Sequence, residues 1–347
     1  MSSSAISTAL LSYGMSGTVF HAPLLQSLPG FRIAKVVQRR EPTAAARLAG
    51  LKVVKTVEEV WSDSAIELVI VNTPNDTHFD YTRRALEAGK HVVVEKPFTI
   101  TTREADVLIE LAQSKNRVLT VFQNRRWDGD FLTVKKVLHE NGVGKVAEFE
   151  AHYDRFRNYI EPNTWKEQGG PGTGILYNLG SHMLDQVLVL FGMPREVDAR
   201  IGIQRQGGVV DDFYDIRLKY PEFYAIVKSS YLVKEPGPRY ILHGNEGSFI
   251  KYGLDPQEQA LKEGKLPSQP GWGTEPKEWW GKLNNQHGVT HIETLPGNYP
   301  AFYQNVFQAI REHKPLAVTP QQARDVIYLI EACYESNATH RAIQLTS

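Results

Sequence analysis

The sequence predicts an α/β protein with an N-terminal Rossmann-type, doubly wound parallel sheet and a C-terminal α+β domain with a large, mainly antiparallel open sheet. Three observations support this prediction. The chain has 347 residues, more than one hydrophobic core usually serves. Its first third alternates short apolar strands with helices, which is typical of a parallel sheet. The remainder contains strands in which aromatic and branched residues alternate with polar ones, which suits an antiparallel sheet.

Composition excludes several classes of protein. Lys+Arg and Asp+Glu each number 39, so no net charge draws the chain to nucleic acid or to an acidic membrane. We therefore expect neither as a partner. Cys333 is the only cysteine, which excludes an intramolecular disulfide and an all-cysteine metal site. The N-terminal segment lacks the basic start of a signal peptide, and no apolar run is long enough to span a membrane. We expect a cytoplasmic protein.

The first predicted strand, Ile6 to Leu11, leads into a candidate dinucleotide-binding turn. Gly14 and Gly17 match the second and third glycines of the G-x-G-x-x-G fingerprint, and Ser12 replaces the first. The second glycine lets the backbone approach a pyrophosphate, and the third lets the helix pack on its strand. The start of that helix offers N–H groups to the phosphates. The candidate cofactor contacts in this turn are Tyr13, Gly14, Met15, Ser16 and Gly17.

The second predicted strand, Phe31 to Val37, is followed by Gln38, Arg39 and Arg40. Proteins that bind NAD place an acidic residue near this position, on the ribose 2′-hydroxyl. A carboxylate would repel a 2′-phosphate, whereas guanidinium groups bind it through charge-assisted hydrogen bonds. We therefore expect these three residues to bind NADP, with NAD as the alternative cofactor. The alternative for the two arginines is a solvated strand end.

Further strands and helices complete the predicted first domain, residues 1–123. Helix caps and glycine stops mark the ends of its helices. The predicted strands lie near Val53-Val54 and over Glu67 to Val71, His91 to Val94 and Val118 to Phe122, and the predicted helices run from Thr43 to Ala49, from Asp76 to Ala88 before Gly89, and from Thr101 or Thr102 onward.

The carboxyl ends of two of these strands carry polar residues. In an open parallel sheet, ligands bind in the crevice outside those ends. One strand leads into Glu95, Lys96 and Pro97, and the proline ends it because it lacks a backbone donor. We expect Lys96 to face a ligand, the alternative being that Glu95 and Lys96 are a solvated strand end. The preceding strand leads into Thr73, Pro74, Asn75 and His78.

The second domain is predicted to cover residues 124–347. The segment from 254 to 300 has poor periodicity, which indicates a long excursion on this domain. The last helix, 319–339, has Thr319 as N-cap, Pro320 at N1 and Gln322 at N3, and the first domain is one candidate for its packing partner. The other predicted helices run near Phe131 to Asn141, ended by Gly142, and from Tyr177 to Phe191, and the strands are Ala147 to Phe156, Val197 to Gln204, Phe213 to Tyr220 and Ala225 to Leu232.

A polar stripe marks the second candidate site. Asn178, His182 and Asp185 lie at i, i+4 and i+7 of a predicted helix that follows a glycine-rich turn. Burying three polar groups without partners would cost about 1–3 kcal/mol each, so the stripe indicates a site. The alternatives are a satisfied core histidine and a zinc site. No His-Glu-x-x-His motif or cysteine pair supports zinc.

The motifs together resemble the Gfo/Idh/MocA family of NAD(P)-dependent sugar and polyol dehydrogenases, over essentially the whole chain. Within that family, three segments are similar to the branch that contains NADP-dependent scyllo-inositol dehydrogenases. These segments are Gln123 to Asp128, Tyr153 to Phe156 and Asn245 to Phe249. The family signatures are the Gly14/Gly17 turn with Phe20-His21-Ala22-Pro23, Thr73-Pro74-Asn75 with His78, Ala85 to His91, Glu95-Lys96-Pro97, and Gly180-x-His182-x-x-Asp185.

The resemblance implies catalytic roles. Lys96 would stabilise the developing alkoxide, and His182 would act as base in oxidation and as acid in reduction. Asp185 would orient His182 or bind a substrate hydroxyl. The family commonly has aspartate where this chain has Asn178, which cannot act as a base. The other implied cofactor contacts are Thr73, Pro74, Asn75, His78, Glu95, Lys96, Asn124 and Trp165. The implied substrate contacts are Lys96, Arg126, Tyr153, Arg155, Asn178 and His182. Ordinary sheet packing is the alternative for Tyr153 and Arg155.

The expected reaction is an NADP-dependent interconversion of a secondary alcohol of a cyclic polyol or sugar and its ketone. The alternatives are an aldose 1-dehydrogenase or another sugar oxidoreductase on the same scaffold, and a non-catalytic sensor that binds NADP. No metal is expected. The resemblance further implies a homodimer or homotetramer that forms through the C-terminal sheet. The aromatic residues of that sheet, Phe213, Tyr214, Tyr220, Phe223 and Tyr224, suit either such an interface or a core.

Overall fold

The structure, a computed structural model, describes residues 4–39, 43–44 and 50–345. It contains two compact units. The first comprises the chain up to Trp127 together with Pro256–Gly273 and Asn298–Arg324, and the second comprises Asp128–Asp255, Thr274–Gly297 and the chain from Asp325. The chain thus passes between the units several times, whereas the sequence predicts one boundary after Gln123. Local periodicity shows where an element lies along the chain but not which distant element it contacts.

The first unit is built on a six-stranded parallel sheet with the order β3-β2-β1-β4-β5-β6. The order reverses between β1 and β4, which is the switch point where open α/β sheets bind ligands. Every residue of β4 is buried, as expected for a central strand covered on both faces. The doubly wound fold is confirmed. The strands are β1 Ile6–Leu10, β2 Phe31–Val37, β3 Lys52–Val54, β4 Leu68–Val71, β5 His91–Val94 and β6 Leu119–Val121.

The helices agree with the predicted caps. Thr101 forms a capping box with Glu104, and Thr319 forms the same reciprocal pair with Gln322. The predicted helix from Thr43 to Ala49 lies mostly outside the described residues. The helices are α1 Ala22–Gln26, α2 Glu58–Trp61, α3 His78–Glu87, α4 Thr102–Ser114, α5 Gly129–His139, α6 Ser181–Phe191, α7 Gln257–Lys262, α8 Pro300–Glu312 and α9 Pro320–Thr339.

An aromatic cluster packs at the carboxyl end of β6. Phe122, which follows β6, contacts Phe302 of α8 edge-on with ring centroids 5.0 Å apart. Phe20 and Tyr303 also pack on Phe122. Each aromatic ring buries a large apolar area, so this cluster fixes the end of the first helical segment against α8. It therefore joins the end of β6 to α8.

The second unit contains a nine-stranded sheet with the order β14-β13-β12-β11-β7-β10-β9-β8-β15. Its neighbours pair antiparallel except β7 and β10, which are parallel. The predicted large, mainly antiparallel sheet is confirmed. The strands are β7 Val146–His152, β8 Glu196–Gly202, β9 Phe213–Lys219, β10 Tyr224–Ser230, β11 Tyr240–Gly244, β12 Gly247–Lys251, β13 Gly281–Asn285, β14 Gly288–Ile292 and β15 Ile343–Gln344.

Several local details differ from the sequence prediction. Strand β7 ends at His152, and Phe156 makes only an isolated bridge with Leu232. Helix α5 ends before Asn141, which adopts the left-handed conformation (φ 54°) in place of the expected Gly142. Asparagine tolerates that conformation because its short side chain bonds locally. The segment from 254 to 300, predicted to be a long excursion on the second domain, contains α7, β13 and β14, and its residues Pro256–Gly273 belong to the first unit.

The five aromatic residues predicted to suit an interface or a core are divided between the two: two are buried, two are half-buried and one is exposed. Tyr214 is fully buried, and Tyr220 stacks on Phe223 with ring centroids 4.7 Å apart. Tyr224, in contrast, has 47% of its surface exposed. Among the residues that the structure describes, no helix is long and apolar enough to cross a membrane.

Candidate functional site

The turn after β1 is held by Asn72, the first residue beyond β4. The Asn72 side chain accepts a hydrogen bond from the backbone N–H of Ser12 at 3.0 Å and donates one to the Ser12 carbonyl oxygen at 2.9 Å. The Ser12 hydroxyl accepts a hydrogen bond from the N–H of Gly14 at 3.1 Å. Serine in place of the first fingerprint glycine therefore supports the turn with its own side chain. This role of Asn72 was not predicted, because its partner lies 60 residues away along the chain.

Gly17 has no room for a side chain. A Cβ atom at this position would lie 2.5 Å from the carbonyl oxygen of Ser12 and 3.0 Å from Nδ2 of Asn72. Gly14 is different, because a Cβ there would meet only the Ser12 hydroxyl at 3.4 Å, an ordinary contact. Packing of the turn therefore requires glycine at position 17. Gly14 is exposed, and the described atoms around it leave room for a Cβ. This matches the role of the second glycine in admitting a phosphate.

The helix after the turn begins with a π-helical segment, Gly17–His21, that continues into α1. Such segments occur frequently at functional sites. Met15 is 54% exposed beside the turn, and Tyr13 and Ser16 are half-buried. The predicted contacts of this turn therefore lie together at the carboxyl end of β1.

Gln38 and Arg39, which follow β2 and were predicted to select the cofactor, make different contacts. The Gln38 carboxamide turns back on its own chain, where it donates to the Thr43 hydroxyl at 2.8 Å and accepts from the N–H of Ala44 at 3.1 Å. Arg39 is exposed, and its Nη2 donates to the hydroxyl of Tyr81 on α3 at 2.9 Å. Arg40 lies outside the described residues. Of the two arginines at the end of β2, Arg39 is the one that the structure describes.

The loop after β4 is tied to the end of β5 by His78. One ring nitrogen of this buried residue lies 2.7 Å from the carbonyl oxygen of Pro97, and the other lies 3.0 Å from that of Thr73. Burial lowers the pKa of His78, against the raising effect of its hydrogen bonds to the two carbonyl groups. The hydroxyl groups of Thr73 and Thr77 are 2.5 Å apart. Pro74 is exposed and Asn75 half-buried on the same loop. His78 therefore acts as a link between two strand ends.

The Glu95 carboxylate is held by a hydrogen bond with His21. The Nε2 atom of this fully buried histidine lies 3.0 Å from Glu95 Oε1, and Nδ1 lies 2.6 Å from the hydroxyl of Tyr303 on α8. Burial alone would raise the pKa of Glu95, but the hydrogen bond from His21 and nearby positive charges hold that pKa below its usual value. Glu95 is therefore an anion at neutral pH. Its Oε2 accepts the backbone N–H of Lys96 at 3.1 Å.

Lys96 follows β5 at the carboxyl edge of the sheet and is half-buried. The peptide bond from Lys96 to Pro97 is cis. Because Glu95 binds the Lys96 N–H and His78 lies against the Pro97 carbonyl group, the backbone on both sides of the Lys96 side chain is fixed. His21 and Tyr303, which support this arrangement, were not predicted as site residues.

The segment after β6 is buried rather than open. Arg126 donates through Nη1 to the carbonyl oxygen of Ala317 at 2.8 Å and to Gln322 Oε1 at 2.9 Å. Arg125 pairs with Glu258 of α7, and Asn124 is 4% exposed. These bonds give Arg126 a structural role at the start of α9, and its predicted contact with substrate remains a prediction.

In the second unit, the predicted polar stripe begins in a π-helical turn, Leu176–Gly180, and continues into α6. His182 and Asp185 are 4% and 1% exposed. The Asn178 carboxamide donates to the hydroxyl of Tyr231 at 3.3 Å. A π turn widens the helix by one residue and changes the direction of the side chains that it carries. The predicted stripe assumed the spacing of a regular α-helix, so it did not include this change of direction.

Asp211 anchors the start of this helical segment. Its Oδ2 accepts the backbone N–H of Leu176 at 2.9 Å, and its Oδ1 accepts the hydroxyl of Tyr334 on α9 at 2.9 Å. Burial raises the pKa of Asp211, against the lowering effect of these bonds. Gly174 has φ +91°, and a Cβ there would lie 2.0 Å from Asp211 Oδ1. The glycine-rich turn therefore lets the carboxylate approach the helix terminus.

The predicted substrate-contacting aromatic and cationic residues are only partly available. Tyr153 is 3% exposed, and its ring lies 4.7 Å from the guanidinium carbon of Arg239 and 5.4 Å from that of Arg155. Arg155 itself is half-buried. Arg239, which was not predicted as a site residue, also stacks on Tyr240.

The segment that carries Trp165 is fastened by a buried charge cluster. Arg205 binds both carboxylate oxygens of Glu167, at 3.1 and 2.8 Å, and Oδ2 of Asp212 at 2.9 Å. Its side chain is 1% exposed. Trp165 is half-buried, with the Lys166 ammonium nitrogen 5.8 Å from its ring. In the part of the chain that is described, no group of three or more His, Cys, Asp or Glu side chains is arranged to hold a metal ion.

Comparison with known proteins decides the family. A family model described as an oxidoreductase family with an NAD-binding Rossmann fold matches residues 6–123, and a second, described as the C-terminal alpha/beta domain of that family, matches residues 135–345. The chain belongs to the Gfo/Idh/MocA family of oxidoreductases. The family, the enzyme class and an NAD(P)-binding Rossmann domain, all predicted from the sequence, are thereby confirmed. The roles of individual site residues remain predictions.

Full-length relatives support this assignment. The chain is 41% identical to scyllo-inositol 2-dehydrogenase (NADP(+)) IolW of Bacillus subtilis over 98% of this chain and 96% of that protein. It is 43% identical to the uncharacterized oxidoreductase YdgJ of Escherichia coli over 97% of each. A solved structure of the oxidoreductase yvaA from Bacillus subtilis is 40% identical, covers 99% of each chain and has a TM-score of 0.96.

Proposed function

We propose that this Gfo/Idh/MocA protein is an NADP-dependent dehydrogenase that interconverts a secondary alcohol of a cyclic polyol, similar to scyllo-inositol, and the corresponding ketone. The observation that carries the proposal is the 41% identity, over nearly the full length of both chains, to a protein named scyllo-inositol 2-dehydrogenase (NADP(+)). Lys96, at the end of β5, and His182, in the polar stripe of the second unit, are consistent with that chemistry.

The turn after β1 fits a dinucleotide. Asn72 holds Ser12, Gly17 leaves no space for a Cβ, and Gly14 keeps an exposed backbone at the carboxyl end of β1. A pyrophosphate would lie against the backbone of this turn, where the helix N-terminus adds a positive dipole end. Arg39 supports NADP rather than NAD, because a guanidinium group attracts a 2′-phosphate where an aspartate would repel it.

Lys96 is proposed to polarise the reacting oxygen. Its ammonium group would donate a hydrogen bond to the substrate hydroxyl and stabilise the negative charge that develops on that oxygen during oxidation. The backbone bonds to Glu95 and the His78–Pro97 contact orient the Lys96 backbone before substrate binds. Such preorganisation lowers the cost of reaching the reactive geometry. A bound nicotinamide would accept the hydride from the alcohol carbon, or supply it in the reverse direction.

His182 is proposed to move the proton. In oxidation the substrate O–H proton would pass to the imidazole as the C–O bond becomes a carbonyl, and in reduction the imidazolium would return it. Imidazole suits both directions at neutral pH. Asp185 would orient the His182 ring. Asn178 cannot take a proton, and its donation to Tyr231 supports a positioning or substrate-binding role instead.

Steady-state turnover of scyllo-inositol with NADP⁺, followed as NADPH absorbance, tests the proposal. We expect turnover by the wild type and its loss in Lys96→Ala, while NADPH binding measured by fluorescence survives. Lys115→Ala is a matched control, because Lys115 is exposed at the end of α4. NADPH binding without turnover of any tested polyol or sugar would instead support a non-catalytic sensor. Turnover of an aldose in preference to inositols would redirect the substrate assignment.

The second sheet is proposed to form a homodimer contact. One of its faces carries charged side chains in register: Arg217 of β9 is exposed, and the Lys228 ammonium lies 3.3 Å from Asp215 Oδ2 on the neighbouring strand. A two-fold contact requires a self-complementary surface, and a face that carries both signs of charge can meet that requirement. Multi-angle light scattering at two salt concentrations tests this, and a mass of one chain at both would contradict it.

A further inference from the structure

The contact between Arg39 and Tyr81 joins the ends of two elements that lie on opposite sides of β1. Arg39 follows β2, and Tyr81 belongs to α3, the helix that follows the loop after β4. In the sheet, β2 and β4 each pair with β1. The hydrogen bond from Arg39 Nη2 to the Tyr81 hydroxyl, at 2.9 Å, therefore connects residues on either side of the strand whose carboxyl end carries the phosphate-binding turn.

We propose that Tyr81 is a specificity-determining residue for the cofactor: its hydroxyl positions the Arg39 guanidinium to bind a phosphate on the ribose 2′ position. This inference rests on the proposed NADP dependence. No local sequence motif indicates this function, because Arg39 and Tyr81 are 42 positions apart.

The Tyr81 ring is fixed independently of its hydroxyl. It packs on Trp61 of α2 with ring centroids 6.5 Å apart, and the guanidinium carbon of Arg84 lies 5.9 Å from the ring of Trp61. Arg84 is in turn held by Glu58 at 2.7 Å. The aromatic body of Tyr81 thus contributes packing, and its hydroxyl contributes the bond to Arg39. A change to phenylalanine removes only the second contribution.

Positioning matters because Arg39 is exposed. A free arginine side chain samples many rotamers, and holding it in one orientation costs conformational entropy when a ligand binds. A guanidinium carries five N–H donors. One bond to Tyr81 orients the planar group and leaves enough donors for a bidentate contact with a phosphate. Tyr81 therefore reduces the entropic cost of the contact without competing for the anion, since its hydroxyl acts as acceptor toward Arg39.

The effect is expected to be specific to the phosphorylated cofactor. NADH presents a 2′-hydroxyl, which gains little from a nearby cation. Loss of one oriented hydrogen bond usually weakens binding by about three- to tenfold. We expect Tyr81→Phe to raise the Kd for NADPH by about three- to tenfold and to change the Kd for NADH by less than about twofold. A purely structural role in packing α3 would weaken both nucleotides equally.

The experiment is a fluorescence titration of NADPH and NADH against wild type, Arg39→Ala, Tyr81→Phe and the double variant. 2′,5′-ADP and 5′-AMP serve as competing probes that differ by the same phosphate. We expect Arg39→Ala to lose at least about tenfold in NADPH affinity, and the double variant to lose no more than Arg39→Ala alone, since Tyr81 acts through Arg39. Arg83→Gln is the matched control. It removes one positive charge from α3, where Arg83 pairs with Asp80 at 2.9 Å and Glu87 at 2.8 Å, and should leave both affinities within about twofold.

The outcomes separate this inference from the proposed function. If Arg39→Ala weakens NADPH binding and Tyr81→Phe does not, the 2′-phosphate site stands and the role of Tyr81 is overturned. Equal weakening of NADPH and NADH by Tyr81→Phe also overturns it. If the wild type binds the two nucleotides equally, the NADP assignment fails and the role of Tyr81 fails with it, while turnover of polyols with NAD⁺ decides separately whether the protein is a dehydrogenase.

Discussion

Asn72 binds both backbone polar groups of Ser12. Its carboxamide accepts from the Ser12 N–H at 3.0 Å and donates to the Ser12 carbonyl oxygen at 2.9 Å. Asn72 follows β4 and Ser12 follows β1, so the pair connects the two central strands at the switch point of the sheet. Asn72 is 5% exposed, and a buried amide group needs hydrogen-bond partners.

Asn72→Ala is expected to remove both bonds and leave the Ser12 N–H and carbonyl group unsatisfied. We expect the free energy of unfolding to fall by about 1–3 kcal/mol, and NADPH and NADH to bind more weakly by the same factor, because the turn serves both. Urea unfolding and fluorescence titration measure the two effects. Asn72→Asp keeps the acceptor but places an anion beside the Ser12 carbonyl oxygen, so it should be no more stable than wild type at pH 7. A variant that weakens NADPH alone would contradict this role.

The two fingerprint glycines are expected to respond differently to alanine. Gly17→Ala would force a Cβ to within 2.5 Å of the Ser12 carbonyl oxygen, so we expect a loss of about 2 kcal/mol or more in stability together with weaker nucleotide binding. Gly14→Ala meets only an ordinary contact at 3.4 Å. It should leave the unfolding free energy within about 0.5 kcal/mol while it weakens nucleotide binding, because the added methyl group would lie where a phosphate approaches. Equal losses of stability in both variants would contradict the structure of the turn.

Gly174, in the glycine-rich turn before α6, and Gly207, between β8 and β9, form a second matched pair. Gly174→Ala combines a positive φ of +91° with a Cβ only 2.0 Å from Asp211 Oδ1. Gly207→Ala has a positive φ of +77° and no described atom within 4 Å of the new Cβ, so it bears the backbone strain alone, about 1–2 kcal/mol. We expect Gly174→Ala to cost at least about 2 kcal/mol more than Gly207→Ala and to reduce turnover, because displacing Asp211 shifts the segment that carries His182. Thermal unfolding and kcat measure these effects, and similar losses in both would contradict the anchoring role of Asp211.

His91 is expected to make stability depend on pH. Burial, followed by the charge of Arg117, lowers the pKa of His91 from 6.5 to about 4, and its Nδ1 accepts the N–H of Val118 at 2.9 Å, which requires an unprotonated nitrogen. Between these two pH values the unfolded chain binds a proton that the folded protein does not. Stability should therefore fall as the pH decreases from about 6.5 to about 4, by about 3 kcal/mol.

His91→Gln is the control for that prediction, because glutamine retains an acceptor but does not titrate. Urea unfolding at pH 7, 5.5 and 4 should show a smaller loss of stability in the variant than in the wild type. The comparison cancels the contribution of carboxylates that titrate in the same range. Identical pH dependence in both proteins would show that His91 is not the group responsible.

Most of the fold could be predicted from the sequence because its signals are local. Buried β-strands such as His91–Val94 are short apolar runs, and the capping residues Thr101 and Thr319 lie within three positions of their partners. The signals failed where conformation depends on distant contacts. Asn141 replaced Gly142 at a helix end, and β13 and β14 formed from a segment without periodicity because each pairs with a neighbouring strand.

The sequence by itself determined the family, the two kinds of sheet and the positions along the chain of Gly14, Gly17, Lys96 and His182, because motifs and periodicity are properties of neighbouring residues. Tertiary structure alone decided which distant residues hold the candidate site segments in place. Asn72 lies 60 positions from Ser12, His21 lies 74 from Glu95, and Tyr81 lies 42 from Arg39. A hydrogen bond needs two groups about 3 Å apart, and only the folding of the sheet brings such distant parts of the chain together.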